Sequence, residues 1–545
     1  MKKILFFLML LPSLALAQTF PVNNLQINGA VSGNVSGTGN VVLQNGPSIT
    51  GGSVNNAIGS FTTLSSITPP TLGASTFYPT VATNAALQAF STLATSSITR
   101  LGFYSSGDSP ALLYQASASP CSLNAGAGDN GSQVKSSNNL CWLAVLPPGG
   151  PFDIRDWGAY VNGANEDSTA VQNAINYASN NGGGIVWFPA GKTLLNSGVT
   201  VGIGGVTLKG MGWQEYNSIE GSNSAPGPNA SWILSTTTAH TPVTFANTVE
   251  NAGIDGIAFQ QTQPADAPGW TPTVYPPSIN ILGSAASSGA VDVENVFCWQ
   301  CYEFIRVGSV GNLTGRGTFK HIWGQPLALG LNIIASSDTN IIDDVHFWPF
   351  ATVSSNILAW VQANGIAIKF TRSDNPLISN VFAYGYQVGV QFTSSTDGAT
   401  QRFQMTNIDL DSANTGFQFL GTSGSTSGQM ANVFVTAESG AGSSSYGINV
   451  GNSNYTYLTI TNFRSTGAGS SCVALSGSTT TAVDVAITNA WCDNWNQVNG
   501  GFVGFNVGQY STLTLSGRLY SNGGNGASLT FSGGTGAVLN QSHVN

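Results

Sequence analysis

An asparagine followed by an apolar residue returns at near-constant spacing through the second half of the chain, and this repeat restricts the fold most. The asparagines are separated by 27, 25, 30 and 27 residues, and they are Asn380, Asn407, Asn432, Asn462 and Asn489. Earlier in the chain the same slot is filled by Asn295, His321 and Asp344, with successive gaps of 26, 23 and 36 residues up to Asn380. Alternating apolar residues precede the slots, and asparagine tolerates the left-handed backbone of a tight bend. The repeat therefore predicts one coil per period, with the asparagine side chains stacked as a hydrogen-bonded ladder.

A second apolar strand follows the slots, often led by a glycine such as Gly389, Gly416, Gly447 or Gly504. Stacked coils of this kind share a continuous apolar core that no single hairpin could bury. The predicted fold class is all-β: a single-stranded right-handed parallel β-helix, or solenoid, with an N-terminal capping helix. A β-sandwich with asparagine-rich turns is the alternative that the repeat leaves open.

The 545 residues divide into four predicted segments. Residues 1–17 have the basic start, apolar stretch and small-residue end of a signal peptide, with a single membrane anchor as the alternative. Residues 18–75 are rich in glycine, serine and asparagine and are predicted to form an extended stalk or an oligomerisation segment. Residues 76–150 are predicted to form a small β-rich module, and residues 151–545 the β-helix. We therefore expect a secreted protein with no membrane segment in its mature form.

Charge and cysteine content narrow the partners and the chemistry. The net charge of −9 argues against nucleic acid as a partner, and the four histidines do not cluster with cysteines, so no metal site is expected. In an exported chain the pairs Cys121–Cys141 and Cys472–Cys492 are candidate disulfides. Cys298 and Cys301 have the spacing of a thiol-redox motif without its βαβ setting, so a structural bridge or two buried thiols is expected.

Residues 152–212 carry a recognisable block of motifs. A strand and Gly158-Ala159 lead to a helix predicted from Thr169 to about Asn180, with Asp167 and Ser168 as caps and Thr169 and Gln172 at capping-box spacing. Glycines then end the helix, and an apolar strand ends in Phe188-Pro189-Ala190-Gly191.

This block resembles the start of the pectate-lyase superfamily domain, also called the rhamnogalacturonase or epimerase-like β-helix. The segment 162–167 departs from the family's Gly-Asp-Gly pattern. The resemblance implies that the helix plugs the open end of the coil, and the family includes lyases, hydrolases, epimerases and inactive binders. The N-terminal region and the order of segments resemble phage tail fibres and tailspikes, which implies a homotrimer and, for a phage gene, a place in the virion tail.

The first candidate site is a groove along the glycine-led strands. Glycosidic hydrolysis needs two carboxyl groups, and a lyase needs a base, often Lys or Arg beside carboxylates. The predicted catalytic residues of this groove are Glu303, Asp338, Lys369, Arg372 and Asp374. Arg306 and Arg402 are predicted to bind substrate, and Asp397 lies near Arg402 in sequence.

The second candidate site is the segment 342–350. Asp343 is the predicted catalytic residue here, and Asp344 is predicted to be a bend residue in the ladder slot. The residues predicted to hold sugar rings here and in neighbouring coils are His346, Trp348, Trp323, Tyr384 and Tyr386, although aromatic side chains on this fold also pack into cores. A third candidate is the pair Asp409 and Asp411, which share one face of a strand and are suited to acid–base work or cation binding.

These features, with the resemblance, predict an exported, tailspike-like protein that degrades a polysaccharide by hydrolysis or β-elimination. No cofactor is expected, except calcium if the protein is a lyase. The alternative is a non-catalytic carbohydrate-binding adhesin. Two carboxyl groups facing one groove would favour the enzyme, whereas acids that are all isolated or paired with bases would favour the adhesin.

Overall fold

The computed structural model describes residues 79–90, 97–213, 229–286, 288–350, 355–438, 442–451, 455–525, 532–533 and 535–542. The chain divides after Phe77 into two compact units, and every described residue belongs to the second. The predicted signal peptide and stalk lie outside the described residues. Within the described residues, no helix is long and apolar enough to span a membrane.

The first described part is a five-stranded sheet with one short helix. Its strands are Thr80–Val81, Ser97–Arg100, Leu112–Ser117, Gln133–Lys135 and Cys141–Ala144, and its helix is Asn84–Ala89. The predicted disulfide between Cys121 and Cys141 is formed and closes a loop with a sequence separation of 20. A loop of that length predicts about 3 kcal/mol of stabilisation through the unfolded state.

Buried polar contacts attach this small sheet to the following coils. Arg100 donates to the backbone oxygen of Asp156 at 2.9 Å, and Trp157 Nε1 donates to Asp129 Oδ2 at 2.9 Å. Burial raises the pKa of the Asp156 carboxyl to about 7, and the nearby Arg100 guanidinium opposes that shift. The contacts fix the small sheet against the start of the β-helix.

A helix closes the N-terminal end of the apolar core, as the sequence predicted. It spans Ser168–Asn180 and buries Val171, Ala174, Ile175 and Ala178. The predicted capping box is wrong: Asp167 is the N-cap without a side-chain cap bond, and its carboxylate instead accepts from Tyr160 N at 2.7 Å. Gln172 bonds the backbone of Thr200 through both amide atoms, at 2.7 and 2.9 Å. These bonds dock the helix on the first coil.

The chain beyond the cap winds through two parallel sheets. The sheet that we call the short-strand sheet has twelve parallel strands stacked in chain order. They are Val199–Val201, Val243–Phe245, Ile279–Ile281, Glu303–Val307, Leu329–Ile333, Ile366–Phe370, Val388–Phe392, Thr415–Phe419, Tyr446–Val450, Val473–Leu475, Phe505–Val507 and Ser532–Gly533.

The second sheet, which we call the long-strand sheet, has eighteen strands. They are Phe152–Asp153, Asn162–Glu166, Gly184–Phe188, Gly191–Leu194, Val206–Gly210, Ser231–Ser235, Ala252–Asp255, Ala258–Gln261, Val291–Trp299, Thr318–Gly324, Ile341–Phe347, Leu377–Tyr384, Phe403–Ala413, Thr426–Ala437, Thr456–Thr466, Val483–Asp493, Ser511–Asn522 and Val538–Ser542. From Val291 onward, one strand from each sheet, with the turns between them, makes a coil. In the preceding coils the long-strand sheet contributes two shorter strands, such as Gly184–Phe188 and Gly191–Leu194. The alternative of a β-sandwich is wrong, because the strands of both sheets pair in parallel register from coil to coil.

The predicted ladder sits at a bend in the middle of the long strands. Asn407, Asn432 and Asn462 have φ of 56°, 54° and 56°, and His321 and Asp344 adopt the same left-handed backbone at 56° and 55°. Asn432 Nδ2 donates to Asn407 Oδ1 at 3.2 Å, and Asn462 Nδ2 donates to Asn432 Oδ1 at 3.0 Å. The bend turns each strand so that both halves direct apolar side chains to the axis.

Two local insertions and the cysteines complete the coils. The helix Ser355–Asn364 accounts for the longest gap in the repeat, and a hairpin of Ser394–Ser395 with Gly398–Ala399 projects after a short strand. The predicted disulfide between Cys472 and Cys492 is formed. Cys298 and Cys301 are free, buried thiols, which is one of the two arrangements expected for them.

Candidate functional site

The outward face of the short-strand sheet carries a row of mostly polar side chains from successive coils, which we call the polar row. Its members are Thr200, Thr244, Asn280, Arg306, Asn332, Lys369, Gln391, Gln418, Asn449, Ala474 and Asn506. Lys369 lies between Asn332 and Gln391, as its predicted outward position requires. The first candidate site was predicted to lie on this surface.

The Glu303 carboxylate is paired with other residues of the polar row. Its carboxylate accepts from Arg306 Nε at 2.9 Å and from Asn332 Nδ2 at 2.8 Å, and a second Arg306 nitrogen pairs with its other oxygen. Only 3% of the residue is exposed. A buried carboxylate that is bidentate to a guanidinium is typical of a structural ion pair. The geometry gives Glu303 no access to a substrate.

The remaining residues of the first candidate site lie apart from Glu303, in the turns that lead to the long-strand sheet. Arg372 donates to Asp374 at 2.7 Å and to the backbone oxygen of Ser336 at 2.6 Å. Asp338 and Arg402 occupy exposed turn positions with left-handed backbones. Asp397 accepts from the backbone of Gly311 at 2.7 Å. The structure therefore does not gather the predicted groove acids into one carboxyl pair.

The second candidate site lies on the long-strand sheet. Asp344 is a bend residue, as predicted, and His321 Nδ1 lies 2.6 Å from its Oδ2. Asp343 accepts from Ser379 at 2.6 Å and from Asn380 at 2.9 Å, and these hydrogen bonds hold the pKa of its carboxyl below its usual value. Asp343 therefore belongs to the ladder's hydrogen bonds.

The predicted aromatic residues separate into two groups. Trp323, His346, Trp348 and Tyr384 are half-buried on the outer face of the long-strand sheet. The prediction for Tyr386 is wrong, because its side chain is 2% exposed and its hydroxyl donates to the backbone oxygen of Pro326 at 2.8 Å. Its ring packs inside the coil and cannot stack on a sugar.

A second outward row emerges beside the ladder, and we call it the outer row. It consists of the residue two positions after each ladder slot, and stacking brings these residues together: Phe297, Trp323, His346, Phe382, Asp409, Phe434, Arg464 and Trp491. The ring centroids of Trp323 and His346 are 4.6 Å apart, and those of His346 and Phe382 are 5.1 Å apart. Side chains alternate across a strand, so the core is formed by the residues at one and three positions after each slot.

Asp409 interrupts this aromatic row with a carboxyl group, and Asp411 stands beside it. The two residues lie on the same face of one strand, with Leu410 between them buried in the core. Two residues of strand place their Cα atoms about 6.6 Å apart. Burial raises the pKa of Asp409, and the charge of Asp411 raises it further. Asp409 Oδ1 is buried and has no hydrogen-bond partner among the described residues.

Rings flank the pair in the coils on both sides. Asp409 lies between Phe382 and Phe434, and Asp411 lies beside Tyr384. On one side the Trp348 ring is 4.5 Å from Tyr384 and 5.7 Å from Phe382, measured between centroids. The arrangement combines a protonatable carboxyl, a second carboxyl and apolar ring faces within about two coils.

The far side of the pair continues as a stack of a cation and rings. The Arg464 guanidinium lies 4.6 Å from the Phe434 centroid and 4.5 Å from that of Trp491. Trp491 in turn packs on Tyr520 at 4.2 Å, and it is 38% exposed. Such a stack fixes the orientation of each ring without burying its outer edge.

Asp409 and Asp411 were recognised in the sequence, but Phe382, Phe434, Arg464 and Trp491 were not. The signal was available, because each lies two residues after an asparagine of the ladder. Counting from the ladder, rather than from the glycine-led strands, identifies the outward positions of this face.

The next feature is the arrangement of side chains that could bind a metal ion. Among them, no group of three or more His, Cys, Asp or Glu side chains is arranged to hold a metal ion. Asp409 and Asp411 are thus two carboxyl groups without a third protein ligand of this kind in the described part of the chain.

Part of the chain is similar in sequence to known proteins. Residues 152–279 match the family model described as rhamnogalacturonase A/epimerase, pectate lyase-like. A curated relative, mannuronan C5-epimerase AlgE3 of Azotobacter vinelandii, is 40% identical over 58 residues, which are 11% of this chain and 3% of that protein. The chain thus aligns with only a small part of that relative's length.

Solved structures show a looser likeness. Tailspike protein 2 of an Escherichia coli O157:H7 bacteriophage is 12% identical with a TM-score of 0.47, over 82% of this chain and 53% of that one. Tailspike gp49 of the Acinetobacter baumannii bacteriophage Fri1, described as a capsular polysaccharide depolymerase, is 12% identical with a TM-score of 0.44, over 83% and 75%. An exopolygalacturonase of Thermotoga maritima is 11% identical with a TM-score of 0.42, over 69% and 92%.

The strand register and the family match agree on the fold. The matched residues 152–279 include the block whose motifs first indicated the resemblance, and they run from the cap into the first coils. Parallel pairing then continues from coil to coil to residue 542, with register shifts between Leu410 and Ala413 and between Thr488 and Ala490. From Phe152 onward, the described residues form a right-handed parallel β-helix, and its first coils match the pectate lyase-like family model.

Proposed function

We propose that the protein degrades a polysaccharide by glycosidic hydrolysis, with Asp409 as the general acid and Asp411 as the base or nucleophile. The observation that carries the proposal is this pair of carboxyls on one face, in environments that differ. Glycosidases need one carboxyl that holds a proton and another that does not, and unequal burial is the usual means of separating them. Burial and the charge of Asp411 raise the pKa of Asp409.

The flanking rings support a glycan that lies along the helix axis. Successive coils are about 4.8 Å apart, close to the rise of a sugar unit along a chain. Phe382 and Tyr384 would hold the units on one side of the scissile bond, and Phe434 those on the other. Ring faces bind the apolar faces of pyranoses and leave the hydroxyl groups in water.

In this arrangement Asp409 donates its proton to the glycosidic oxygen as the bond to the anomeric carbon breaks. Asp411 either removes a proton from an attacking water or attacks the anomeric carbon itself. The Cα atoms of the two residues are about 6.6 Å apart, and both the inverting and the retaining route use two carboxyl groups. Proton NMR of fresh product distinguishes the routes, because they give opposite anomeric configurations.

β-Elimination fits the same surface less well. It requires a base close to a group that neutralises a uronate carboxylate. The cation nearest the pair in the outer row is Arg464, and it is held between two rings with Asp493 3.8 Å away. Hydrolysis therefore matches the available groups better than elimination does.

A non-catalytic glycan-binding protein is the second candidate. The aromatic row continues into coils without a carboxyl pair, at Trp323 and at Trp491. Such rings would bind a glycan without cleaving it. Export through a signal peptide, secretion and a tailspike-like homotrimer remain part of the proposal for either function.

The test is to incubate the protein with a panel of neutral and acidic bacterial polysaccharides. Cleavage is measured as the formation of new reducing ends and as absorbance at 235 nm. Hydrolysis predicts new reducing ends without absorbance at 235 nm. In the double variant Asp409→Asn, Asp411→Asn, reducing-end formation should be lost while binding is retained. Absorbance at 235 nm would replace hydrolysis by elimination. Binding by the wild type without any cleavage across the panel would favour the second candidate.

A further inference from the structure

A cleft of about 450 Å³ opens on the long-strand sheet, several coils before the carboxyl pair. Its lining includes Lys209, Trp213, Asp255, Asn295 and His321. Asn295 and Asn407 are four ladder steps apart, or about 19 Å at the spacing of stacked strands. The cleft is therefore a separate feature from the carboxyl pair of the proposed function.

The charged groups of the cleft are matched to one another. Lys209 Nζ lies 2.7 Å from Asp255 Oδ2, and Asn295 Nδ2 donates to Asp255 Oδ1 at 2.8 Å. These two bonds hold the pKa of the Asp255 carboxyl below its usual value. His321 is likewise paired with Asp344 at 2.6 Å. An ionic ligand would have to displace one of these partners, whereas a neutral ligand with hydroxyl groups could bond to their remaining lone pairs and hydrogens.

An aromatic wall faces these polar groups. The Trp213 ring stacks 4.9 Å from Phe297 and 5.5 Å from His321, measured between centroids, and it is half-buried. Its position is set by these contacts and by Trp323 at 5.4 Å. A fixed ring opposite hydroxyl-bonding groups is the combination that binds a pyranose.

Glycines form part of the lining of the cleft. A Cβ atom at Gly210 would come within 2.3 Å of the backbone oxygen of Gly256, so the two backbone segments approach closely there. At Gly212 no described residue lies within 4 Å of the position that a Cβ would take, and its φ is +108°. The described residues therefore leave space beside Gly212.

We infer that this cleft is a second carbohydrate site, which binds one or two neutral pyranose units and does not cleave them. A volume of about 450 Å³ is at the small end of ligand pockets and suits that size. The inference extends the proposed function, since the bound sugars would belong to another stretch of the same polysaccharide. It would anchor the polymer while the carboxyl pair acts about 19 Å away along the axis.

The experiment uses the full chain with Asp409→Asn and Asp411→Asn, so that no ligand is consumed. The probes are methyl glycosides of glucose, galactose and mannose with neutral disaccharides of each, followed by saturation-transfer NMR and tryptophan fluorescence. Lys209→Met and Asp255→Ala are expected to weaken binding of the preferred sugar about tenfold, the effect of losing one hydrogen bond to a charged group. The matched control is Lys320→Met, a lysine on the same outward face that does not line the cleft.

Unchanged binding in both cleft variants, or no binding by any probe, would overturn the inference. Thermal unfolding identifies a variant that has lost its fold. If Asp255→Ala does not fold, the binding measured for Lys209→Met decides the inference. When Lys209→Met is made in the protein that retains Asp409 and Asp411, it should raise KM for the polymer and leave kcat on short oligosaccharides unchanged. Failure of the carboxyl pair to cleave would leave the sugar-binding result intact, so the two proposals can fail separately.

Discussion

The polar row and the outer row stand on different faces of the same coils, and they use charge in opposite ways. In the polar row, Glu303 is paired with the Arg306 guanidinium and accepts a hydrogen bond from Asn332, so its carboxylate is buried with partners. In the outer row, Asp409 has a ring on either side and a like charge beside it. The first environment lowers the free energy of the folded chain, and the second raises it.

This contrast shows where chemistry can be expected on a fold built from repeats. Every coil must satisfy the same core, so the outward positions are free to vary without cost to the solenoid. A carboxyl that is paired serves the fold, whereas a carboxyl that is half-buried beside another one costs stability and is suited to proton transfer. The abundance of polar residues on the short-strand face therefore says less about function than one unpaired acid on the other face.

Removal of either member of the carboxyl pair should have the largest effect. Asp411→Asn is expected to lower kcat by about a thousandfold or more, because hydrolysis loses its base or nucleophile. Away from the outer row, Lys369→Met on the short-strand sheet and Asp374→Asn in the turn after it should leave kcat within about twofold of the wild type, a range that covers small indirect effects. The measurement is the rate of reducing-end formation for the four proteins on one polysaccharide. If Lys369→Met or Asp374→Asn caused the larger loss, the active face would have been assigned to the wrong sheet.

The fold was predictable because one residue type marks one geometry. Asn407, Asn432 and Asn462 stand at φ near 55°, where few other residues are favourable, so their spacing reported the coil directly. Asp344 and His321 in the same slot followed the rule as well. The two disulfides were also accessible, since each pair is separated by 20 residues within or between neighbouring turns.

The site was harder to predict because the spacing of residues in the sequence does not show which charged side chains pair with one another. Glu303 and Arg306 were both chosen as functional, and only the structure shows that each satisfies the other. Tyr386 follows Tyr384 by two residues, but Gly385 with φ of +75° turns the chain between them, so the second ring enters the core. Local bends of this kind decide which of two similar aromatic residues reaches solvent.

The ion pair of the polar row provides the next largest test. Arg306→Met is expected to reduce the free energy of unfolding by about 2 kcal/mol, since it leaves the Glu303 carboxylate buried without its partner while the exposed part of the arginine contributes little. Chemical denaturation at pH 7 measures this directly. The double variant Arg306→Met, Glu303→Leu should recover most of the loss, and no recovery would mean that the pair has another role.

The ladder should be more sensitive than the polar row to loss of one amide. Asn432→Ala is expected to cost about 1–2 kcal/mol, because alanine is strained at positive φ and two side-chain hydrogen bonds are lost. Asn449→Ala in the polar row lacks that strain and should cost no more than about 0.5 kcal/mol. Asn432→Gly isolates the hydrogen bonds, since glycine accepts the backbone. Equal losses for Asn432→Ala and Asn449→Ala would show that the bend is held by packing alone.

The smallest effect concerns Asp409 itself, and its sign is the informative part. A carboxyl whose pKa is raised by folding binds its proton more tightly in the folded state, so its ionisation opposes folding as the pH rises through that raised pKa. Asp409→Asn should therefore stabilise the protein at pH 7, by less than about 1 kcal/mol because the group is half-exposed. The gain should vanish well below pH 3.8, the ordinary value, where aspartate is neutral in both states. Asp374→Asn should show no such gain at pH 7, because it removes a carboxylate that is bonded to Arg372. Paired unfolding curves at pH 3 and pH 7 measure both variants, and a loss of stability in Asp409→Asn at pH 7 would remove the physical basis for its role as the proton donor.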